Sequence, residues 1–182
     1  EAGTITGKVI SKAASETGIP AGVPVIATGH DTQFAIFGSG AEKNQPVLRS
    51  GTWEILMVRS ESFKSGKEQL DMSITTELDS KPGLYNIGNQ WIASGILEWA
   101  RKNLYSDIKE NVYEKMISGA EKVAPGSKGV RVIPKFYEEL NGKPAGQILG
   151  LTMESTRDEI YRAMLEALSL RLVEGKTALE KA

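Results

Sequence analysis

Residues 29–34, which read Gly-His-Asp-Thr-Gln-Phe, contain the residue types from which a phosphoryl-transfer site can be built. Asp31 follows an apolar run and opens a helical pattern. An aspartate in that position can accept a proton from a hydroxyl group that attacks a phosphorus atom. It can equally serve as a helix N-cap, and spacing alone favours the N-cap. The two roles are compatible, so both stay open.

A second segment, the tripeptide Ser50, Gly51 and Thr52, lies between two apolar runs. Its small residues are typical of a tight turn. In a functional role, its backbone N–H groups and the Thr52 hydroxyl would hold the phosphates of a nucleotide, and Gly51 would allow their close approach. Three small residues are a weak motif. His30 is equally ambiguous, because a histidine is more often structural, although imidazole can donate or accept at a sugar hydroxyl.

Composition excludes several classes of function. The 182 residues carry a formal net charge of −1, which gives no bulk electrostatic reason to bind nucleic acid or an anionic membrane. With no cysteine and a single histidine, the chain has no disulfide framework and no cysteine- or histidine-based metal site. No apolar run reaches the ~18 residues that span a bilayer, so the sequence predicts a soluble protein, compatible with the cytoplasm. Neither a P-loop nor a protein-kinase motif is present.

Apolar periodicity and turn residues predict an α/β chain. Strands are predicted at residues 22–28, where the strand is expected to be buried, and at 46–50, 53–58, 75–78, 130–133 and 146–151. Helices are predicted at residues 32–37, 91–104 and 107–124, and from a capping box at Thr156 and Glu159 onward. Residues 83–90 are predicted to be a loop. The chain begins without Met and stops inside a helical pattern, which indicates a piece of a longer enzyme.

Longer strings are spread along the chain, at residues 3–7, 17–20, 22–25, 29–35, 50–59 and 77–80. In their order and composition they resemble the FGGY family of carbohydrate kinases. The strings Gly-His-Asp-Thr-Gln-Phe-Ala and Ser-Gly-Thr-Trp-Glu-Ile-Leu-Met-Val-Arg are most similar to the branch of that family that acts on L-fuculose. The branch that acts on L-rhamnulose shares shorter parts of both strings.

The resemblance implies a ribonuclease H-like fold of two domains, as in actin, hexokinase and heat-shock ATPases, with sugar and ATP in the cleft between the domains. It implies that residues 1–46 are the tail of the sugar-binding N-terminal domain and residues 47–182 the first part of the ATP-binding C-terminal domain. The family's Asp-x-Gly-Thr phosphate motif and its adenosine motif would fall outside residues 1–182. We therefore expect the isolated chain to be inactive.

Site roles also follow from the resemblance. Asp31 matches the catalytic base, and the substrate-binding candidates are His30, Thr32 and Asn86. The ATP-binding candidates are Ser50, Gly51, Thr52 and Ser94. Ser94 and Glu98 stand where many members of the family have a glycine and a glutamine that contact the nucleotide.

The expected function is ATP-dependent phosphorylation of a ketose, first of all of L-fuculose to its 1-phosphate in L-fucose degradation, with Mg²⁺ carried by ATP. The protein itself is expected to hold no metal and to act in the cytoplasm without nucleic-acid or membrane partners, and a homo-oligomer is left open. One alternative is L-rhamnulokinase or another pentulose or hexulose kinase of the family. The other is a non-catalytic interaction module with an actin-like ATPase fold, which would have no use for the proton acceptor Asp31.

Overall fold

The computed structural model describes residues 2–137 and 146–181. Its strands are β1 (Ile5–Lys8), β2 (Pro24–Ile26), β3 (Pro46–Arg49), β4 (Trp53–Ser60), β5 (Thr75–Leu78), β6 (Tyr85–Ile92), β7 (Arg131–Ile133) and β8 (Gln147–Leu149). Its helices are α1 (Ser11–Thr17), α2 (Asp31–Gly38), α3 (Lys67–Asp71), α4 (Ser94–Leu104), α5 (Val112–Glu121) and α6 (Arg157–Lys181). A short 3₁₀ turn spans Ser127–Gly129. Within these residues, no helix is long and apolar enough to cross a membrane.

The chain divides into two compact units. The first comprises the residues up to Val47 together with Met57–Gly88, and the second comprises Leu48–Leu56 together with the residues from Asn89 onward. Strands β1 and β2 form a two-stranded sheet, and β7 and β8 form another. A four-stranded sheet has the order β3-β4-β6-β5. The division into domains at residues 46 and 47 stays a prediction.

Strand β2 corrects one expectation about the first unit. The predicted strand at residues 22–28 exists as Pro24–Ile26, but it is not buried, since every residue of β1 and β2 is exposed. Among the described residues the two strands pair antiparallel in a sheet of two strands, which leaves their apolar side chains exposed. The apolar pattern therefore predicted the strand correctly, but the prediction that this strand is buried was wrong.

Strand β6 corrects a second expectation, because residues 83–90 were predicted to be a loop. Glycine and asparagine are poor strand formers, but β6 lies between β4 and β5 in the sheet, where pairing on both sides outweighs the local preference. Its register with β5 is antiparallel and places Glu77 directly opposite Asn86. Directly opposite residues of an antiparallel pair lie on the same face of the sheet.

Three helices form the core of the second unit. Apolar residues of α4, α5 and α6 meet there with Tyr105, which directly follows α4, and the most deeply buried are Ile96, Ala100, Tyr105, Met116, Ala120 and Met164. The predicted capping box of α6 is confirmed, since the Glu159 N–H donates to Thr156 Oγ1 at 3.3 Å and the Thr156 N–H donates to Glu159 Oε2 at 2.9 Å. Helix α4 begins at Ser94 rather than Trp91 because β6 continues to Ile92.

A buried ion pair holds three segments of the first unit together. Arg59 Nε donates to Asp79 Oδ2 at 2.7 Å, and the two side chains are 3% and 0% exposed. Arg59 Nη1 donates to the carbonyl of Ala41 at 2.7 Å, and Asp79 Oδ1 accepts the N–H of Lys81 at 2.7 Å. The pair thus connects β4, the segment after α2 and the turn between β5 and β6.

Arg59→Met is expected to lower the free energy of unfolding by about 3–5 kcal/mol, because it leaves the Asp79 carboxylate buried without its counter-charge. Urea unfolding of the variant and the parent measures the difference. The exposed pair of Lys43 and Glu61, with 2.8 Å between Nζ and Oε2, provides the control. Lys43→Met is expected to cost less than about 1 kcal/mol. Equal losses in the two variants would contradict the assigned role of the buried pair.

Candidate active site

Asp31 is the first residue of helix α2, and the N-cap position is occupied by His30. The cap interpretation of Asp31 is therefore wrong, although a carboxylate in the first turn still interacts favourably with the helix dipole. The Asp31 side chain is 71% exposed, and its Oδ1 lies 3.1 Å from His30 Nε2. The Thr32 hydroxyl approaches the same oxygen at 3.4 Å. The Asp31 carboxylate is thus exposed at the N-terminus of α2 and contacts His30 and Thr32.

The imidazole ring of His30 lies between two carboxylates. Its Nδ1 is 3.3 Å from Glu77 Oε2, on the side opposite the Asp31 contact. Gln33 Nε2 donates to the same Glu77 oxygen at 3.4 Å, and Gln33 Oε1 accepts the backbone N–H of His30 at 3.3 Å. The first turn of α2 is therefore bonded to strand β5 by way of one carboxylate.

Sequence reasoning missed Glu77 and Gln33 as neighbours of Asp31. Glu77 is 46 positions from Asp31, so no local spacing connects them. The available signal was that both residues belong to strings that carry the family resemblance, residues 29–35 and 77–80.

A cavity of about 380 Å³ opens beside His30. It is lined by residues 27–30, Gln33 and residues 78–84, together with Ala2. A volume of this order is at the lower end of small-molecule sites. The cavity thus places His30 and Gln33 at a space large enough for a small polar ligand.

The two remaining sugar-site candidates are buried. Thr32 is 3% exposed, and its hydroxyl contacts the Asp31 carboxylate. Asn86 is 0% exposed, and neither its Nδ2 nor its Oδ1 has a hydrogen-bond partner among the described residues. Buried amides are normally satisfied, so an unpaired one indicates a missing polar partner. In the register of β5 with β6, Asn86 lies opposite Glu77.

The nucleotide-site candidates come together in the second unit. The Ser94 N–H donates to the carbonyl of Gly51 at 3.2 Å, and the carbonyl of Thr52 accepts the N–H of Ala93 at 2.9 Å. Ser50 Oγ donates to Glu54 Oε1 at 3.4 Å. Because carbonyls of the turn take up the N–H groups at the start of α4, that helix end is capped by the turn. Thr52 and Ser94, which carry hydroxyl groups, are exposed.

Glu98 lies one helical turn after Ser94 and is held by two donors. Both of its oxygens accept from Arg101 at 2.7 Å, and Oε2 accepts the Tyr113 hydroxyl at 2.9 Å. The Arg101 guanidinium, and then the Tyr113 hydroxyl, lower the pKa of Glu98 to about 2. Position 98 therefore carries a fixed negative charge. A glutamine amide, as implied there by the family resemblance, would differ in both charge and donor capacity.

The sugar-side residues, His30, Asp31, Thr32 and Asn86, lie in the first unit. The nucleotide-side residues, Ser50, Gly51, Thr52 and Ser94, lie in the second. The structure thus groups the candidates by the substrate for which each was predicted.

Comparison with known proteins identifies the family. A sequence profile of the C-terminal domain of the FGGY family of carbohydrate kinases matches residues 47–182. L-fuculokinase of Escherichia coli (strain K12) is 46% identical over 181 residues, a match that covers 100% of this chain and 37% of the relative. L-fuculokinase of Haemophilus influenzae is 40% identical over 182 residues, covering 99% of this chain and 38% of the relative.

A solved structure agrees with the sequence matches. The xylulose kinase from Rhodospirillum rubrum superposes with a TM-score of 0.80 at 25% identity, covering 99% of this chain and 36% of that one. The prediction of an α/β chain with the actin- and hexokinase-like fold is thereby confirmed. The chain spans 37% of the length of the first curated relative that it matches. It belongs to the FGGY family of carbohydrate kinases.

Proposed function

We propose that this chain is the central part of an ATP-dependent ketose kinase whose substrate is L-fuculose and whose product is L-fuculose 1-phosphate. The observation that carries the proposal is the 46% identity to an L-fuculokinase along the whole chain. The site geometry supports it, because the exposed Asp31 carboxylate contacts His30, and His30 and Gln33 line a cavity. In this proposal residues 1–46 belong to the sugar-binding domain and residues 47–182 to the ATP-binding domain.

In the proposed reaction, Asp31 accepts the proton of the terminal hydroxyl of the sugar. The hydroxyl oxygen forms a bond to the γ-phosphorus of ATP, the bond from that phosphorus to the β–γ bridging oxygen breaks, and ADP leaves. His30, Thr32 and Asn86 bind or frame the sugar. Ser50, Gly51, Thr52 and Ser94 contact the nucleotide phosphates.

Magnesium enters as part of the MgATP substrate. In residues 2–137 and 146–181, no group of three or more His, Asp or Glu side chains is placed to hold a metal ion. In the proposed reaction the ion takes most of its ligands from the phosphates of ATP and from water, as Mg²⁺ commonly does in kinases. We place the reaction in the cytoplasm, where MgATP is available, and leave the oligomeric state to measurement.

The choice of sugar is tested by a coupled assay of the full-length enzyme with L-fuculose, L-rhamnulose, L-ribulose and D-xylulose. We expect the highest kcat/KM for L-fuculose. A higher value for another ketose would reassign the substrate within the family, and no turnover of any of them would favour a non-catalytic module.

Residues 1–182 alone are expected to show no turnover in the same assay, because they span 37% of the length of the L-fuculokinase that they match.

Asp31→Asn in the full-length enzyme is expected to lower kcat by about 10²-fold or more, the scale for loss of a general base. The amide keeps the size of the side chain, so the melting temperature should stay close to that of the parent. Asp71→Asn removes an exposed carboxylate at the end of α3 and serves as the matched control. Activity of Asp31→Asn within a few-fold of the control would exclude Asp31 as the base.

Thr52→Val is expected to raise the KM for ATP or lower kcat while leaving sugar binding unchanged, because only the hydroxyl placed on the phosphate side is lost. Valine keeps the methyl group that packs near Gly95. Thr177→Val, at an exposed position of α6, is the control for the same substitution. Steady-state kinetics with ATP and sugar varied separately distinguish the two sites. Unchanged constants for ATP would remove Thr52 from the nucleotide site.

A further inference from the structure

Gln33 makes two side-chain hydrogen bonds that the proposed reaction does not use. Its Oε1 accepts the backbone N–H of His30 at 3.3 Å, and its Nε2 donates to Glu77 Oε2 on β5 at 3.4 Å. The orientation of the amide is determined at both ends, because a backbone N–H can only donate and an ionised carboxylate can only accept. Gln33 therefore connects the N-cap of α2 to strand β5 with one side chain, and we call this connection the Gln33 bridge.

The residue type at position 33 matters for the second bond rather than for the first. Either Glu or Gln three residues after an N-cap can offer an oxygen to the N–H of the cap residue. Only Gln also carries the N–H groups that the carboxylate of Glu77 accepts. A glutamate at position 33 would instead bring two carboxylates together. The bond to Glu77, and not the cap alone, thus requires glutamine at this position.

Gly29 provides the space for the bridging side chain. A Cβ atom at position 29 would lie closer to Gln33 Oε1 than two non-bonded atoms can approach, and 3.2 Å from Phe34 Cε2. The Gln33 side chain therefore folds back over Gly29, and a larger residue at position 29 would displace it. The string of residues 29–33 thus contains both the bridging side chain and the space that it needs.

We propose that Gln33 is a positioning residue, which holds the first turn of α2 to β5 through Glu77 and thereby sets the orientation of Asp31. The inference rests on the proposed role of Asp31 as the base. Only two of the eight residues of α2 are buried, so packing gives this short helix few points of attachment. The Asp31 carboxylate is 71% exposed and lies 3.1 Å from His30, the residue whose N–H group Gln33 binds.

Glu77 is itself held in place by β5. That strand pairs antiparallel with β6, and two residues after Glu77 comes Asp79, which forms the buried ion pair with Arg59. Under the proposed division into domains, α2 belongs to the sugar-binding domain and β5 to the ATP-binding domain. The Gln33 bridge then connects the two proposed domains next to the base, and both of its residues lie in the first compact unit.

The first test measures catalysis in the full-length enzyme. Gln33→Met keeps the length of the side chain but removes both hydrogen bonds. We expect kcat to fall about 10- to 100-fold, the scale for a small misplacement of a catalytic group, while the KM for the sugar changes less than about threefold. Glu77→Ala should act similarly, and the double variant should lose no more than either single variant, because both residues act through one bridge. A raised KM for the sugar in Gln33→Met alone would identify a direct sugar ligand and overturn the proposal.

The second test reverses the polarity of the bridge. Gln33→Glu alone places two carboxylates together and should lower kcat at least as much as Gln33→Met. When it is combined with Glu77→Gln, the carboxylate at position 33 can accept both the His30 N–H and the amide at position 77. The kcat of this double variant should return to within about threefold of the parent value. A double variant no more active than Gln33→Glu would contradict the bridge.

The third test displaces the Gln33 side chain without altering it. Gly29→Ala is expected to reproduce the loss of kcat in Gln33→Met, since the added methyl group takes the position of Gln33 Oε1. Gly38→Ala in the same helix is the matched control, because a Cβ atom there meets no atom beyond the local backbone within 4 Å. Hydrogen exchange of residues 29–36, followed by mass spectrometry, should be faster in Gly29→Ala than in Gly38→Ala. Equal exchange and equal activity in the two variants would show that the bridge positions nothing.

The outcomes separate this inference from the proposed function. If the enzyme phosphorylates a ketose and Asp31→Asn lowers kcat as expected, but Glu77→Gln does not rescue Gln33→Glu, then the role of Gln33 is wrong and that of Asp31 stands. If the parent enzyme turns over no ketose, the proposed function fails. The hydrogen-exchange measurement then still decides whether Gln33 holds the first turn of α2.

Discussion

The carboxylate of Glu77 joins strand β5 to the first turn of helix α2, and the geometry around Asp31 depends on that connection. One oxygen of Glu77 accepts a hydrogen bond from Gln33 Nε2 of α2 and lies 3.3 Å from Nδ1 of the N-cap residue His30. The end of β5 is fixed two residues later, where Asp79 forms its buried pair with Arg59. These contacts connect the first turn of α2, which carries the proposed base Asp31, to β5, and a proposed base needs one orientation toward the hydroxyl that it meets.

The nucleotide-side candidates are organised by main-chain hydrogen bonds rather than by ion pairs. The turn of Gly51 and Thr52 offers its carbonyl oxygens to the N–H groups at the start of α4, which closes that helix end. What remains exposed are hydroxyl groups on Thr52 and Ser94. One turn further along α4, Arg101 neutralises Glu98 and holds its pKa at about 2. The charge of that carboxylate is thereby partly compensated within the helix.

The sequence predicted the parts of the fold that depend on local pattern. The strand over residues 75–78, the helix over residues 32–37, which the structure extends to Asp31–Gly38, and the capping box of α6 follow from local sequence patterns. Burial of β2 and the nature of residues 83–90 depend on what packs beside them, which local composition does not contain. Residues 85–92 form a strand despite their glycine and asparagine, because β6 pairs with a strand on each side.

The same limit applies to the candidate site. His30 and Asp31 were recognisable because they are adjacent in the chain, whereas Glu77 reaches them only through the folding of β5 against α2. The proposed roles of these residues all depend on one hypothesis, that Asp31 accepts the proton of the terminal hydroxyl of a ketose. A crystal structure of the full-length enzyme with L-fuculose and a non-hydrolysable ATP analogue tests it most directly. The account predicts the terminal hydroxyl of the sugar within hydrogen-bond distance of Asp31, about 2.6–3.2 Å, and a sugar bound with that hydroxyl away from Asp31 would contradict it.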